Sequence, residues 1–124
     1  MPAGIRPGRR GYAMVTVHVT SEDVDDRTVV TVSGEIDVSS ADALRDRLGL
    51  LLDEDRTDLV VDLRAVAFMD STGLGVLVGT LKKVRTVGGR LELVVDTERL
   101  LRLFQLTALD QVFTVHRTLE DALA

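Results

Sequence analysis

The residues whose side chains could best take part in a reaction or bind a ligand lie in two short polar runs. One run is Asp70-Ser71-Thr72, which leads into a glycine-rich segment, and the other is Gly34-Glu35-Ile36-Asp37. A hydroxyl beside carboxylates can act as a nucleophile, as a helix cap or as a phosphate acceptor. These roles need different surroundings, so the neighbouring residues discriminate between them.

Catalysis by Ser71 is disfavoured by what surrounds it. The run lacks the Gly-x-Ser-x-Gly elbow of serine hydrolases. His18 lies in a predicted strand and His116 at the end of another, both outside the two runs. The carboxylates of Asp37 and Asp70 have no companion nucleophile or ligand set. A chain with two histidines and no cysteine is also poorly suited to bind zinc. We therefore predict no catalytic residues, no metal ligands and no cofactor.

Two roles remain open for Ser71, which is predicted to begin a helix. Its hydroxyl can cap the helix by accepting a hydrogen bond from a backbone N–H. It can also be phosphorylated, because the amino end of a helix tolerates anions. The added charge would lie beside Asp70 and close to Glu35 and Asp37. A partner fitted to the neutral hydroxyl would then meet like-charge repulsion.

Three glycines in the same predicted helix need an explanation, because each costs up to about 1 kcal/mol relative to alanine. For Gly73 and Gly75 two explanations stand. Either the helix packs closely on its sheet, or a partner approaches the bare backbone. For Gly79, further into the helix, we predict close packing on the sheet.

The hydrophobic pattern predicts the elements that position these runs. Strands are expected at about 14–20, 28–33, 59–63, 90–95 and 112–115, and helices at about 40–53, 71–87, 97–106 and from 118. The polar segment 21–26 is predicted to be a turn, Gly34 to end the second strand, and Ser39 or Ser40 to cap the first helix. Phe68 and Met69 are placed in the loop after the third strand. Phe68, Met69 and Phe104 are nevertheless predicted to belong to the core.

The order of the elements predicts an α/β fold. Two strands followed by strand–helix alternation indicate an open mixed sheet of about five strands with about four helices, its first strand antiparallel at the edge. Loops after the carboxyl ends of parallel strands form the binding edge of such sheets. If the second and third strands are parallel, the segments 34–37 and 68–73 share one rim.

Length and composition bound the remaining possibilities. The chain has 124 residues, 45% hydrophobic and 28% charged, which predicts one domain over residues 14–124. Residues 1–13 carry Arg6, Arg9 and Arg10 and are predicted to be a disordered basic tail, whereas all 20 acidic residues lie later.

An acidic body with three Phe, one Tyr and no Trp disfavours nucleic-acid binding. No apolar run approaches the ~20 residues that cross a bilayer, so we predict a cytoplasmic protein without a membrane partner.

Three motifs in this order resemble one protein family. They are Gly34-Glu35-Ile36-Asp37 with Ser40-Ala41, the run from Phe68 to Gly75, and Val87-Gly88-Gly89. Together they resemble the anti-sigma factor antagonists of the STAS domain family. The resemblance extends from Met14 to Ala124.

The resemblance implies a regulatory binding protein and not an enzyme. The unphosphorylated form would bind an anti-sigma factor that is also a serine kinase of histidine-kinase-like ATPase fold, which frees a sigma factor. The kinase, which holds the ATP, would phosphorylate Ser71 and break the complex, and a serine phosphatase would restore it. Asp37, Asp70, Thr72, Gly73 and Gly75 would join Ser71 in the partner surface. The alternative is a STAS-like subunit of a membrane transport or lipid-trafficking complex that docks through the same rim.

Overall fold

The computed structural model describes residues 17–124. This part of the chain forms five strands, four α-helices and one short 3-10 turn. In chain order they are β1 (Val17–Val24), β2 (Arg27–Ile36), α1 (Ala41–Asp53), β3 (Asp58–Met69), α2 (Ser71–Thr86), β4 (Arg90–Val94), α3 (Glu98–Leu106), the 3-10 turn (Leu109–Gln111), β5 (Thr114–His116) and α4 (Leu119–Leu123).

The strands form one sheet in the order β1-β2-β3-β4-β5. β1 is antiparallel to β2, and the four strands from β2 to β5 are parallel to one another. Parallel neighbours require crossovers, which the helices supply. The predicted mixed sheet with an antiparallel first strand at its edge is therefore confirmed.

Several predicted boundaries were wrong, because strands continue through residues that resembled loops. β1 runs to Val24, and only Asp25 and Asp26 remain as the turn. β2 continues through Gly34 to its end at Ile36, because Gly34 adopts a φ of 101° where the register with β3 shifts. A glycine bulge of this kind bends a strand without ending it. The predicted first residues of β1, 14–16, and the basic tail 1–13 lie outside the described residues.

The helices cover the two faces of the sheet unequally. α1, α2 and α3 pack on one face over a core that includes Leu44, Leu63, Leu77 and Phe104. α4 lies on the other face, where Ala122 packs with the alternate strand residues Val29, Val60 and Val94. The alternation follows from the two-residue period of a strand, which directs successive side chains to opposite faces. No helix among residues 17–124 has both the length and the apolar character to cross a membrane.

Candidate functional site at the carboxyl ends of β2 and β3

The two polar runs meet at one edge of the sheet. Ile36 and Met69, the last residues of β2 and β3, are paired in parallel register. The next backbone N–H, that of Asp70, donates a hydrogen bond of 3.1 Å to the carbonyl oxygen of Ile36. Asp37 and Asp70 therefore leave neighbouring strand ends together, as the parallel arrangement predicted. We call the surface formed by residues 35–37 and 70–75 the rim.

Asp70 caps α2. Its backbone is extended, and its Oδ1 accepts hydrogen bonds from the N–H of Thr72 at 2.9 Å and of Gly73 at 3.4 Å. Ser71 is instead the first helical residue, and it is exposed. Of the two roles left open for Ser71, helix capping is therefore not the one that it plays. With the capping bonds accepted by Asp70, the hydroxyl of Ser71 faces solvent at the positive end of the helix dipole.

Asp37 forms a compact turn before α1. Its Oδ1 accepts hydrogen bonds from the Ser39 N–H at 2.9 Å and from the Ser39 hydroxyl at 2.6 Å. These bonds hold the pKa of the Asp37 carboxyl below its ordinary value, because they stabilise the charged form. Asp37 is consequently anionic throughout the neutral range and contributes a fixed negative charge to the rim.

Ser40 does not cap α1 through its side chain, contrary to prediction. Its buried hydroxyl donates to the Glu35 carbonyl oxygen at 2.8 Å and accepts from the Asp37 N–H at 3.0 Å. Ser40 therefore ties the end of β2 to the start of α1. These hydrogen bonds hold the backbone of residues 35–37 in place and so position the side chains of Glu35 and Asp37.

The glycines of α2 have different surroundings. A Cβ on Gly73 would lie 2.7 Å from Cγ2 of Ile36 and 2.8 Å from Cγ of Met69, so close packing explains this glycine. Gly75 is exposed, and a Cβ there would meet nothing within 4 Å. The backbone at Gly75 is thus open to a partner. A Cβ on Gly79 would also meet nothing within 4 Å, so its predicted packing against the sheet was wrong.

An apolar groove adjoins the rim between the end of β3 and α3. It measures about 250 Å³, and its lining includes Phe68, Met69 and Leu106 together with Arg99 and Arg102. Phe68 is 41% exposed and Leu106 is 79% exposed. The core prediction was therefore wrong for Phe68. It is confirmed for Met69 and for Phe104, which is buried and meets Phe113 edge to face with ring centroids 6.1 Å apart.

The groups at the rim are suited to binding. Within residues 17–124 no group of three or more His, Asp or Glu side chains is placed to hold a metal ion. His18 lies exposed on β1, and His116, on β5, has its Nε2 2.8 Å from Oε1 of Glu92 on β4. Neither ring therefore stands on the elements that form the rim. Carboxylates, an exposed hydroxyl and a neighbouring apolar groove are groups that protein-recognition surfaces commonly combine.

The family model described as the STAS domain matches residues 17–122 of this chain. The chain belongs to the STAS domain family. This STAS domain is 43% identical over 101 residues to the anti-sigma-B factor antagonist of Bacillus subtilis (strain 168), an alignment that covers 82% of this chain and 92% of the relative. Such relatives are regulatory binding proteins and not enzymes, in agreement with the sequence prediction.

Solved structures agree with this family assignment. An anti-sigma factor antagonist from Mycobacterium paratuberculosis superimposes on the STAS domain with a TM-score of 0.82 at 38% identity, and the match covers 90% of this chain and 94% of the other. The Bacillus cell fate determinant SpoIIAA, solved in its phosphorylated form, matches at 23% identity with a TM-score of 0.67 over 86% of this chain and 96% of the other. The second likeness shows a shared fold.

Replacing Gly73 by alanine is expected to destabilise this STAS domain by about 1–2 kcal/mol. The new methyl group would overlap the buried side chains of Ile36 and Met69, and the cost of overpacking exceeds the gain in helix propensity. Gly75→Ala is the matched control, since it gains the same propensity of about 1 kcal/mol without a clash. Urea unfolding midpoints measure both effects. Equal shifts in the two variants would contradict the packing explanation for Gly73.

Proposed function

We propose that this STAS domain is an anti-sigma factor antagonist controlled by phosphorylation of Ser71. In the unphosphorylated state its rim binds an anti-sigma factor that is a serine kinase, and this binding releases a sigma factor. The observation that supports the proposal is the position of Ser71. It is exposed on the first turn of α2, and Asp70 accepts the capping hydrogen bonds in its place.

The partner surface of this proposal centres on Ser71 and the carboxylates of Asp37 and Asp70. Asp37 and Asp70 present negative charge beside the hydroxyl, so the partner needs donor or cationic groups opposite them. Thr72 is half-buried next to Ser71, and exposed Gly75 lets a partner approach the helix backbone. Gly73 is buried and contributes by holding α2 against the strand ends.

The apolar groove extends the same surface. Phe68 belongs to β3, which ends at the residue before Asp70, so the groove and the rim are continuous. Exposed apolar side chains that adjoin polar groups are typical of protein-binding sites. We therefore include Phe68 and Leu106 as apolar anchors, with Arg99 and Arg102 available to acidic groups of the partner.

Phosphorylation switches the surface without disturbing the fold. A phosphate adds about −1.5 to −2 charges at neutral pH. At the first position of α2 the helix dipole favours that charge, whereas a partner arranged around a neutral hydroxyl would have to desolvate it near Asp37 and Asp70. The complex therefore dissociates while the STAS domain stays folded. A serine phosphatase that removes the phosphate would restore binding, and we place this cycle in the cytoplasm.

A sigma-release assay tests the proposal. The chain is added to a purified complex of its anti-sigma factor with the cognate sigma factor, and free sigma factor is followed by size-exclusion chromatography. We expect release with ADP. With ATP we expect progressive loss of release and one phosphate on the peptide that contains Ser71, located by mass spectrometry. Failure to release sigma factor would refute antagonism, and a phosphate on another residue would refute the assigned switch.

A further inference from the structure

The outer edge of β1 is regular, and no strand within residues 17–124 pairs along it. Within residues 17–124, β1 pairs only with β2, through eight residue pairs without a register shift. It contains neither proline nor lysine, two residues that commonly protect an edge strand. The opposite edge, β5, has only three residues. A regular eight-residue edge is a template for another strand, whereas a three-residue edge is not.

We propose that the occupant of this edge is β1 of a second copy of the chain, paired antiparallel about a two-fold axis at Thr20. In this register Thr20 lies opposite Thr20 of the second copy, and His18 lies opposite Glu22. The two sheets then join into one sheet of ten strands. Such a dimer does not depend on the proposed function.

The sequence of β1 is self-complementary in this register. His18, Thr20 and Glu22 alternate along the strand, share one sheet face and are all exposed. An imidazole N–H can donate to a carboxylate whether or not the ring is protonated. The two-fold axis makes this His18–Glu22 contact twice, with a Thr20–Thr20 contact between. Cross-strand pairs of these kinds stabilise antiparallel sheets.

Neighbouring registers lack this complementarity. A shift by one residue would place side chains of opposite faces together. A shift by two residues in one direction places Asp23 opposite Val19 and His18 opposite Val24. A shift by two residues in the other direction places His18 opposite Thr20, so neither shift forms the His18–Glu22 pair. In the preferred register Asp23 lies opposite Val17. Its charge is already balanced there, because Arg56 donates to Asp23 at 2.8 Å and Thr28 donates at 2.9 Å.

A groove beside β1 supports a second copy as the occupant. It lies between β1 and α1, measures about 300 Å³, and is lined by Val17, Val19, Ala43, Asp46, Arg47 and Leu50. Leu50 is 59% exposed. The groove carries both an acidic and a basic side chain, Asp46 and Arg47, so two symmetric copies can pair these charges reciprocally. Burial of Leu50 by the second copy would remove apolar surface from water.

The arrangement leaves both rims accessible. β1 begins at the rim end of the sheet, where Val17 pairs with Gly34. Antiparallel pairing of two β1 strands therefore places the two rims at opposite ends of the ten-stranded sheet. Each copy could bind its own partner, so dimerisation and the proposed switch can be tested separately.

Cysteine cross-linking tests the pairing, because the chain has no cysteine of its own. Directly opposed residues of antiparallel strands have Cα atoms about 4.5–5.5 Å apart, which suits a disulfide. Under mild oxidation we expect Thr20→Cys to form a disulfide-linked dimer in high yield. Thr31→Cys is the matched control, since Thr31 is an exposed threonine paired with Thr20 but one strand inside the edge. Equal yields from the two variants, or no dimer from Thr20→Cys, would overturn the proposal.

Charge exchange tests the register without a covalent bond. His18→Glu places two carboxylates opposite each other twice, and we expect it to weaken dimerisation about tenfold in analytical ultracentrifugation. Exchanging both residues, as His18→Glu with Glu22→His, should restore the wild-type dissociation constant to within about threefold. A wild-type chain that stays monomeric at every concentration, or an exchange that fails to restore binding, would overturn this register.

Discussion

Replacing Ser71 by aspartate is expected to weaken binding to the proposed anti-sigma kinase about 100-fold, or by about 2.7 kcal/mol. The exposed hydroxyl lies at the start of α2 beside the carboxylate of Asp70. A carboxylate at this position adds a fourth acidic side chain to a rim that already carries Glu35, Asp37 and Asp70. Its desolvation and repulsion at an interface cost several kcal/mol. Isothermal titration calorimetry with the purified kinase measures the change.

Two controls separate loss of the switch from damage to the fold. Ser71→Ala removes only the hydroxyl, so it should bind the kinase within about threefold of wild type and accept no phosphate at this position. Thr86→Asp adds the same charge at the exposed far end of the same helix and should leave affinity unchanged. The melting temperature of Ser71→Asp should not fall, because an acid in the first helical turn is favourable. Equal affinities of wild type and Ser71→Asp would contradict the switch.

Replacing Gly89 by alanine should have the largest effect on stability, a loss of about 3 kcal/mol, which corresponds to a melting temperature lower by roughly 10 °C. A Cβ on Gly89 would lie 2.2 Å from the carbonyl oxygen of Thr57 and 2.8 Å from a methyl group of Val84. The Thr57 oxygen also accepts a 2.8 Å hydrogen bond from the Arg90 N–H. Backbone that pairs β3 with β4 would have to move to relieve the clash. Thermal unfolding followed by circular dichroism measures the loss.

Gly49→Ala is the control for this effect. Gly49 lies inside α1, and a Cβ there would meet nothing within 4 Å. We expect a gain of about 0.5–1 kcal/mol, because alanine favours the helix and restricts the unfolded chain. If Gly49→Ala lost as much stability as Gly89→Ala, the clash of the added Cβ at Gly89 would not explain the loss there.

The meeting of the two polar runs at one edge of the sheet could be predicted from the sequence, because it follows from the order and direction of the strands. Parallel strands place their carboxyl ends at one edge, so the assignment of β2 and β3, on the condition that they are parallel, was sufficient to predict that Asp37 and Asp70 share the rim. The exact strand ends did not affect that result. The bulge at Gly34 lengthens β2, yet Ile36 still pairs with Met69 at the same edge.

The identity of the helix cap depended on backbone geometry that residue preferences do not resolve. Asp70, Ser71 and Thr72 are all capable of capping. Only the extended backbone of Asp70, with φ of −108° and ψ of −171°, shows which residue precedes the first helical turn. The apolar groove was missed for a different reason. Phe68 and Leu106 are distant in sequence and become neighbours only through the packing of α3 beside β3.

Asp70 caps α2, whereas Ser71 is the proposed phosphorylation site, and this separation of roles affects how often one molecule can be phosphorylated and dephosphorylated. The residue that stabilises the start of α2 is not the residue proposed to be modified, so each round of phosphate addition and removal leaves the capping hydrogen bonds intact. Under the proposed switch, one molecule would pass through many signalling cycles without a period of increased susceptibility to proteolysis. The tempo of the response would then be set by the kinase and phosphatase that act on it, and not by resynthesis of the protein.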